Sequence, residues 1–209
     1  MQDLTQINYI QSVDELTDLY RAPSAAATDK VAAQITPLYR DWIMASRFCV
    51  LATYALGRVD ISPRGDVDPV VDVLDTQHLA LPDWRGNNRL DSLRNIVLDG
   101  SLSMLFFNSG VQDVVRVVGH ARITRDKNIC HRYAQNDHHP KTVVIVRVQQ
   151  VYVHCAKSIV RAGLWPRDGT LNLPSIGDFL SEAKGSAFNG AKFDQALQSR
   201  IQSTLWGDE

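Results

Sequence analysis

Arginine, asparagine and glycine are concentrated in residues 81–96, LPDWRGNNRLDSLRNI, where a helical pattern begins. With Asn88 as the N-cap, Arg89 is the first helical residue and Asp91 is placed to reach back to the cap. Backbone N–H groups at a helix start and guanidinium groups both suit phosphate oxygens, and Gly86 allows the backbone to approach closely. The spacing predicts a phosphate site formed by Arg89 and Arg85. An ordinary cap with solvated arginines is the alternative interpretation.

Two further stretches carry side chains suited to an anionic, planar ligand. DISPRGD (60–66) ends a predicted strand with a hydroxyl and a guanidinium, although a turn with solvated charges explains it equally well. HCAKSIVRAGLW (154–165) follows the longest predicted strand and combines an aromatic ring with cations, which a planar anion needs. For the second stretch the alternative is that Trp165 only packs and His154 only satisfies a backbone carbonyl.

The pattern of apolar residues places these stretches at the ends of short strands. Strands are predicted at 48–54, 58–62, 68–75, 78–82, 101–108, 114–124 and 142–155, and helices at 88–99 and 125–135. Three parts follow: helices in 1–46, a strand-rich domain in 47–170, and two amphipathic helices in 171–209. Many strands with few intervening helices favour an α+β fold, an antiparallel barrel with helices at its rim. The first half of the 142–155 strand is apolar on both faces, so one face should meet the barrel and the other a helix or a second subunit, and we expect a dimer.

Composition excludes several classes of function. The net charge of -1 gives no bulk attraction to nucleic acid. The sequence shows neither an apolar run long enough to span a bilayer nor a signal-peptide pattern, so we expect a cytoplasmic protein. Cys49, Cys130 and Cys155 lack metal-knuckle spacing and are predicted to be reduced thiols. Glycine-rich nucleotide loops and a GxSxG elbow are absent, and we expect no metal at His131, His138 and His139.

In combination, SPRGD, LPDWRGNNRLDSLRNI, RVVGHARI and HCAKSIVRAGLW resemble the pyridoxamine 5'-phosphate oxidase-like flavoproteins, over roughly residues 30–170. The resemblance implies an FMN-binding split β-barrel with N- and C-terminal helices. It also implies a homodimer with FMN sites at the subunit interface. The C-terminal substrate-binding run of the vitamin B6 oxidase has no counterpart here, so oxidation of pyridoxamine phosphate is not predicted.

The resemblance also assigns residues to the flavin site. Ser62, Pro63 and Arg64 would line it, Leu81 and Pro82 would contact the ring system, and Asn87, Asn88 and Arg89 would hold the phosphate. Lys157, Arg161 and Trp165 would border it, from the same or the other subunit. The expected function is an FMN-dependent oxidoreductase acting on a small molecule, with His154 as the candidate proton donor or acceptor. The alternative is a flavin- or haem-binding carrier or sensor without turnover.

Overall fold

Seven strands and eight helices make up the computed structural model, which describes residues 4–84, 86, 88–135, 138–165, 173–185 and 187–203. The strands are β1 (Phe48–Ala55), β2 (Arg58–Gly65), β3 (Asp72–Val73), β4 (His78–Asp83), β5 (Ser101–Phe107), β6 (Val114–Thr124) and β7 (Thr142–His154). The helices are α1 (Val13–Asp18), α2 (Ala25–Thr28), α3 (Pro37–Met44), α4 (Asp91–Leu98), α5 (Lys127–His131), α6 (Lys157–Ala162), α7 (Ile176–Lys184) and α8 (Gly190–Ser203), and a 3-10 turn, Leu4–Gln6, precedes them.

All the strands belong to one antiparallel sheet in the order β2-β1-β5-β6-β7-β4-β3. The sheet curls without closing through backbone hydrogen bonds, as in a split barrel, so the predicted α+β fold is confirmed. The long β6–β7 ladder contains a bulge between Val118 and Gly119. A Cβ on Gly119 would lie 2.4 Å from the carbonyl oxygen of Arg147, so only glycine fits at this bulge between β6 and β7.

Helices before and after the sheet share one hydrophobic core with its inner face. Trp42 and Ile43 of α3 are fully buried, and the ring of Tyr39 stacks on Phe179 of α7 with 4.3 Å between centroids. The Tyr39 hydroxyl donates to the carbonyl of Lys30 and accepts from the backbone N–H of Val153. The terminal helices therefore help to fix the far end of β7.

The opposite face of the sheet, which we call the outer face, is largely apolar and exposed over β1 and β2, whereas α5 covers it at β4 and the start of β7, where Ala80, Cys130 and Val143 are buried together. In the strand register it presents Phe48, Val50 and Tyr54 of β1, Val59, Ile61 and Pro63 of β2, Leu105 and Phe107 of β5, and Arg116, Tyr152 and His154 of β6 and β7. Ile61 is 66% exposed, Val59 67% and Tyr54 50%. Apolar surfaces of this extent mark interaction sites.

Residues 4–24, the N-terminal arm, lie outside the core along their whole length. Every residue of the arm is exposed, including the apolar residues of α1. Ser12 caps α1 by accepting from the backbone N–H of Glu15. The chain joins the sheet only after the arm, where Ala32 and Val151 exchange two backbone hydrogen bonds.

Three element predictions were wrong in extent. The expected strand at 68–75 is reduced to Asp72–Val73, because Val70 and Val71 are buried as packing residues of a loop. The expected helix at 125–135 is the five-residue α5, capped by Asp126. The helix expected from Asn88 begins at Asp91, because Asn88 adopts a left-handed backbone with φ of 60°.

Candidate flavin site

Arg64 joins two strands that the hydrogen-bond ladder leaves apart. Its Nη1 donates to Oδ1 of Asp83 at the end of β4, with 2.6 Å between the two atoms. The Arg64 and Asp83 side chains are only 21% and 18% exposed. The side chain of Arg64 therefore bridges the gap of the split barrel where β2 and β4 end.

The polar side chains of β2 meet the first turn of α4. Arg58, Asp60, Ser62 and Arg64 alternate along the strand and therefore share its inner side. The Ser92 hydroxyl donates to the Asp60 carboxylate and lies 2.9 Å from the Ser62 hydroxyl oxygen. One turn later, Asn95 donates to the buried Thr53 hydroxyl at 3.2 Å. These bonds hold α4 against β1 and β2, and β2 carries the candidate ligand groups.

The start of α4 is cationic and open. Its cap residue, Leu90, offers no side-chain acceptor for the first N–H groups of the helix. The Arg89 guanidinium bonds Asp91 at 2.5 Å and holds the pKa of that carboxyl below its usual range, with smaller contributions from Arg94 and Arg58. The predicted cap at Asn88 is therefore wrong, but the helix start and Arg89 still lie together. Arg85 and Asn87 fall outside the described residues.

A groove lies between the ends of β2 and β4, with a volume of about 190 Å³. It is lined by Pro63, Arg64, Gly65, Asp66, Val70, Leu81, Pro82, Trp84 and Gly86. The indole N–H of Trp84 donates to Asp66 at 2.7 Å, which fixes the ring as one wall. Five predicted residues thus come together around this groove and its margin: Ser62, Pro63, Arg64, Leu81 and Pro82.

A second cleft of about 240 Å³ adjoins the groove, sharing Asp66, Pro82 and Trp84 with it. Its far wall comes from the segment after α5, where Gln135 donates to Asp66 at 2.7 Å. The Tyr133 hydroxyl donates to Asp72 at 3.1 Å. Burial and the neighbouring Asp72 raise the pKa of Tyr133 to about 12, so the phenol keeps its proton.

His154 lies away from the groove of its own chain. Its strand partner is Val114, whereas Arg64 lies on the opposite side of the sheet and connects through Cys49, Phe106 and Val115 to Val153. That is four strand spacings, or roughly 19 Å along the sheet. Burial, together with the charges of Arg116 and Lys30, lowers the pKa of His154 and favours the neutral imidazole.

The other residues predicted from the 154–165 stretch follow His154 along the chain, and none of them lines the groove. Lys157 begins α6, and Arg161 occupies its last turn before Gly163, which has a left-handed backbone. The indole nitrogen of Trp165 is buried without a hydrogen-bond partner in the described structure. Within one chain, the structure does not bring these residues to Arg64.

Comparison with known proteins assigns the family. A family model described as pyridoxamine 5'-phosphate oxidase matches residues 35–155, more than half of the chain. The chain belongs to this family. The matched range begins before α3 and ends just after β7, so it contains the groove, the start of α4 and His154. A search of curated protein sequences finds no match.

Solved structures similar to this family member share low sequence identity with it. HupZ of Group A Streptococcus is 20% identical, over 57% of this chain and 93% of that one, with a TM-score of 0.44. An FMN-binding protein of Syntrophomonas wolfei is 10% identical, over 56% and 86%, with a TM-score of 0.43. An FAD-binding protein of Mycobacterium smegmatis is 16% identical, over 59% and 97%, with a TM-score of 0.40.

Sequence reasoning missed several residues that shape the site of this family member. Asp83 and Asp66 bind Arg64 and Trp84 respectively, and Ser92 connects α4 to β2. Asp83 is the last residue of β4 and Asp66 directly follows β2, and both strands carry predicted ligands. Their position at the strand ends could therefore have identified them as site residues. Ser92 gave no signal, because its role depends on the packing of α4 across β2.

Proposed function

We propose that this protein is an FMN-binding flavoprotein that acts as an oxidoreductase on a small molecule. The observation that carries the proposal is the groove between β2 and β4, whose margin meets the cationic, uncapped start of α4. An apolar wall of Leu81, Pro82 and Trp84 suits a flat ring system. Donors beside that wall suit a phosphate attached to it.

The arginines of the site fit a phosphate group. Arg58, Arg64, Arg89 and Arg94 lie along β2 and the start of α4, against Asp60, Asp83 and Asp91. With Asp66 of the groove, four cations stand against four anions, so the arginines would hold a phosphate as hydrogen-bond donors and not through a net positive charge. A guanidinium carries five donors, so bonding to a carboxylate leaves it able to contact a phosphate as well. In this proposal Arg89, Asn88 and the first turn of α4 hold the phosphate, and the ring lies between Ser62–Arg64 and Leu81–Pro82.

A second copy of the chain completes the site in this proposal. Ligand pockets enclose about 300–1,000 Å³, more than the groove of one chain provides. The outer face supplies an apolar surface for a two-fold dimer. Such a dimer offers a route for His154, Lys157, Arg161 and Trp165 of one copy to reach the groove of the other.

Bound FMN would supply the hydride or electron transfer, and the protein would position it and shield it from water. The second cleft, next to the proposed ring site, offers space for the organic substrate. His154, as a neutral imidazole, suits a proton acceptor better than a donor at neutral pH. Unchanged turnover in His154→Gln would exclude it from the reaction.

Membrane insertion through a helix finds no support in the described residues, none of whose helices is both long and apolar enough to cross a bilayer. Cys49 and Cys130 are buried thiols and Cys155 is an exposed one. A reducing compartment suits free thiols, and a cytoplasmic location is therefore part of the proposal.

The first test is the absorbance spectrum of the purified protein, followed by mass spectrometry of any released ligand. We expect a flavin spectrum and the mass of FMN, and bleaching by NAD(P)H or another physiological reductant. A retained flavin that no donor reduces would favour a carrier or sensor over an enzyme. A Soret band would indicate haem and contradict the assignment of FMN.

The phosphate site can be tested separately by comparing FMN with riboflavin, which lacks the phosphate. We expect Arg89→Gln to weaken FMN binding by about 10- to 100-fold, the contribution of one charge-assisted hydrogen bond. Riboflavin binding should not change, because it does not use this contact. Arg122→Gln, an exposed arginine on β6, serves as the matched control. Equal loss of both ligands in Arg89→Gln would place the phosphate elsewhere.

A further inference from the structure

The N-terminal arm is an amphipathic segment whose apolar side chains are exposed and lie outside the core of the described residues. Val13, Leu16, Leu19 and Tyr20 recur at helical spacing on one side of α1 and just beyond it, and they are 76%, 43%, 67% and 71% exposed. Leu4, Ile7, Tyr9 and Ile10 extend the apolar surface toward the N-terminus. Isolated exposed leucines are common, but a continuous stripe of this length marks a contact surface.

The arm and the outer face have complementary charges. Asp14, Glu15 and Asp18 lie on the other side of α1 from the apolar stripe, against one arginine in the arm, Arg21, so the arm carries a net charge of about -2. The outer face carries Arg116, and α6, which begins three residues after His154 of that face, carries Lys157 and Arg161. The arm and the outer face are therefore complementary in charge, and each also offers apolar surface to the other.

Residues just after the arm join the fold at an edge of the sheet, with Ala26 packed against the core of the inner face. Ala32 bonds to Val151, whose neighbour Tyr152 belongs to the outer face. Yet the arm does not cover the face of its own chain, because Phe48, Tyr54, Val59 and Ile61 remain 42–67% exposed. One chain thus carries both the acidic, apolar arm and an apolar face with basic residues beside it, and the arm leaves that face exposed.

We propose that the N-terminal arm of each copy docks on the outer face of the second copy, next to the basic residues beside that face. A two-fold dimer satisfies both halves at once, since each copy offers the same arm and the same face. The inference rests on the dimer of the proposed function but not on flavin binding. It assigns residues 4–24 as a clamp between subunits.

The proximity of arm and partner can be tested on the full chain by zero-length carboxyl–amine cross-linking. Dimers are assembled from equal amounts of unlabelled and ¹⁵N-labelled chain, and the cross-linked peptides are sequenced by mass spectrometry. We expect arm peptides containing Asp14, Glu15 or Asp18 joined to Lys157, with one partner unlabelled and the other labelled. Arm cross-links that occur only within one label would overturn the proposal.

The contribution of the stripe to assembly can be tested with Leu16→Asn, with Thr17→Asn as a control on the flank of α1. Sedimentation velocity gives the dimer dissociation constant, and FMN retention is measured on the same samples. Leu16→Asn should raise the dissociation constant at least about tenfold, whereas the control should not. An unchanged constant in Leu16→Asn, or a wild-type protein that is monomeric at all concentrations, would overturn the inference. A dimer that responds as expected but binds no flavin would contradict only the proposed function.

Discussion

The Arg64–Asp83 ion pair connects the ends of β2 and β4. Substitution of Arg64 therefore measures how much this ion pair contributes to the stability of the fold. We expect Arg64→Met to lower the free energy of unfolding by about 1–3 kcal/mol, because the largely buried Asp83 carboxyl would lose the hydrogen bond that Arg64 donates to it. Urea unfolding measures the loss. Arg122→Met, an exposed strand arginine, should change stability little. Equal effects of the two substitutions would mean that the Arg64–Asp83 bridge contributes nothing specific.

Asp113 is a nearly buried carboxyl whose Oδ1 has no hydrogen-bond partner in the described structure. Burial raises its pKa to about 6, although Lys30 acts in the opposite direction. The folded state therefore favours the protonated form. Its contribution to stability is fully present below the unfolded pKa of 3.8 and is lost as the pH rises through about 6.

Asp113→Asn should therefore stabilise the protein at pH 8 by about 1–2 kcal/mol and have little effect at pH 4. Thermal unfolding of both proteins across this range measures the difference. Asp68→Asn, at an exposed carboxyl, provides the control. A difference that does not vary with pH would show that Asp113 has an ordinary pKa.

At the scale of elements, the start of α4 shows both the reach and the limit of sequence reasoning. The helix, its apolar face and the placement of Arg89 beside it were predictable from helical spacing. The N-cap residue was not predictable, because asparagine is common both at N-cap positions and in the left-handed conformation that Asn88 adopts. Local sequence does not distinguish the two; in the structure the helix starts at Asp91, with Ser92 bonded to β2 and Asn95 to β1.

The strands and the site show the same division between features that local sequence predicts and features that depend on tertiary packing. Clear alternation predicted β1, β2, β5 and β6 closely, whereas the apolar run at Val70–Val71 was read as a strand although it packs as a loop. Ser62 and Arg64 were found from their place at a strand end. Their partners were not, since Asp83 and Ser92 approach them only through the curl of the sheet and the crossing of α4.

Asn88 allows backbone and side-chain roles to be separated. Asn88→Ala should cost about 1 kcal/mol in unfolding free energy, because alanine resists the left-handed conformation, while Asn88→Gly should be close to neutral. If the side chain also contacts the phosphate, Asn88→Gly should weaken binding of FMN relative to riboflavin while the fold stays intact. Calorimetry and ligand titration separate the two effects. Equal stability of the alanine and glycine variants would contradict the left-handed backbone.

At the scale of the whole molecule, the groove and the outer face have to be considered together. A chain that folded only for its own stability would not leave Ile61 and Val59 two-thirds exposed beside strands whose inner side is fully packed. At about 190 Å³, the groove on its own is also smaller than the roughly 300–1,000 Å³ of most ligand pockets. Both features have the same explanation if a second copy covers the outer face and closes the groove.

This explanation predicts that assembly and flavin binding are lost together. Ile61→Asp places a charge in the middle of the outer face, and we expect it to give a monomer that still folds, because Ile61 is not part of the core. Val97→Asp, an equally drastic change at a residue of α4 that is 74% exposed, should leave the dimer intact. Sedimentation velocity measures the oligomeric state and flavin absorbance measures the bound cofactor on the same samples. Circular dichroism verifies that the variants are folded. A monomeric Ile61→Asp variant that binds FMN as tightly as the wild type would show that one chain suffices for the site and that the outer face serves another purpose.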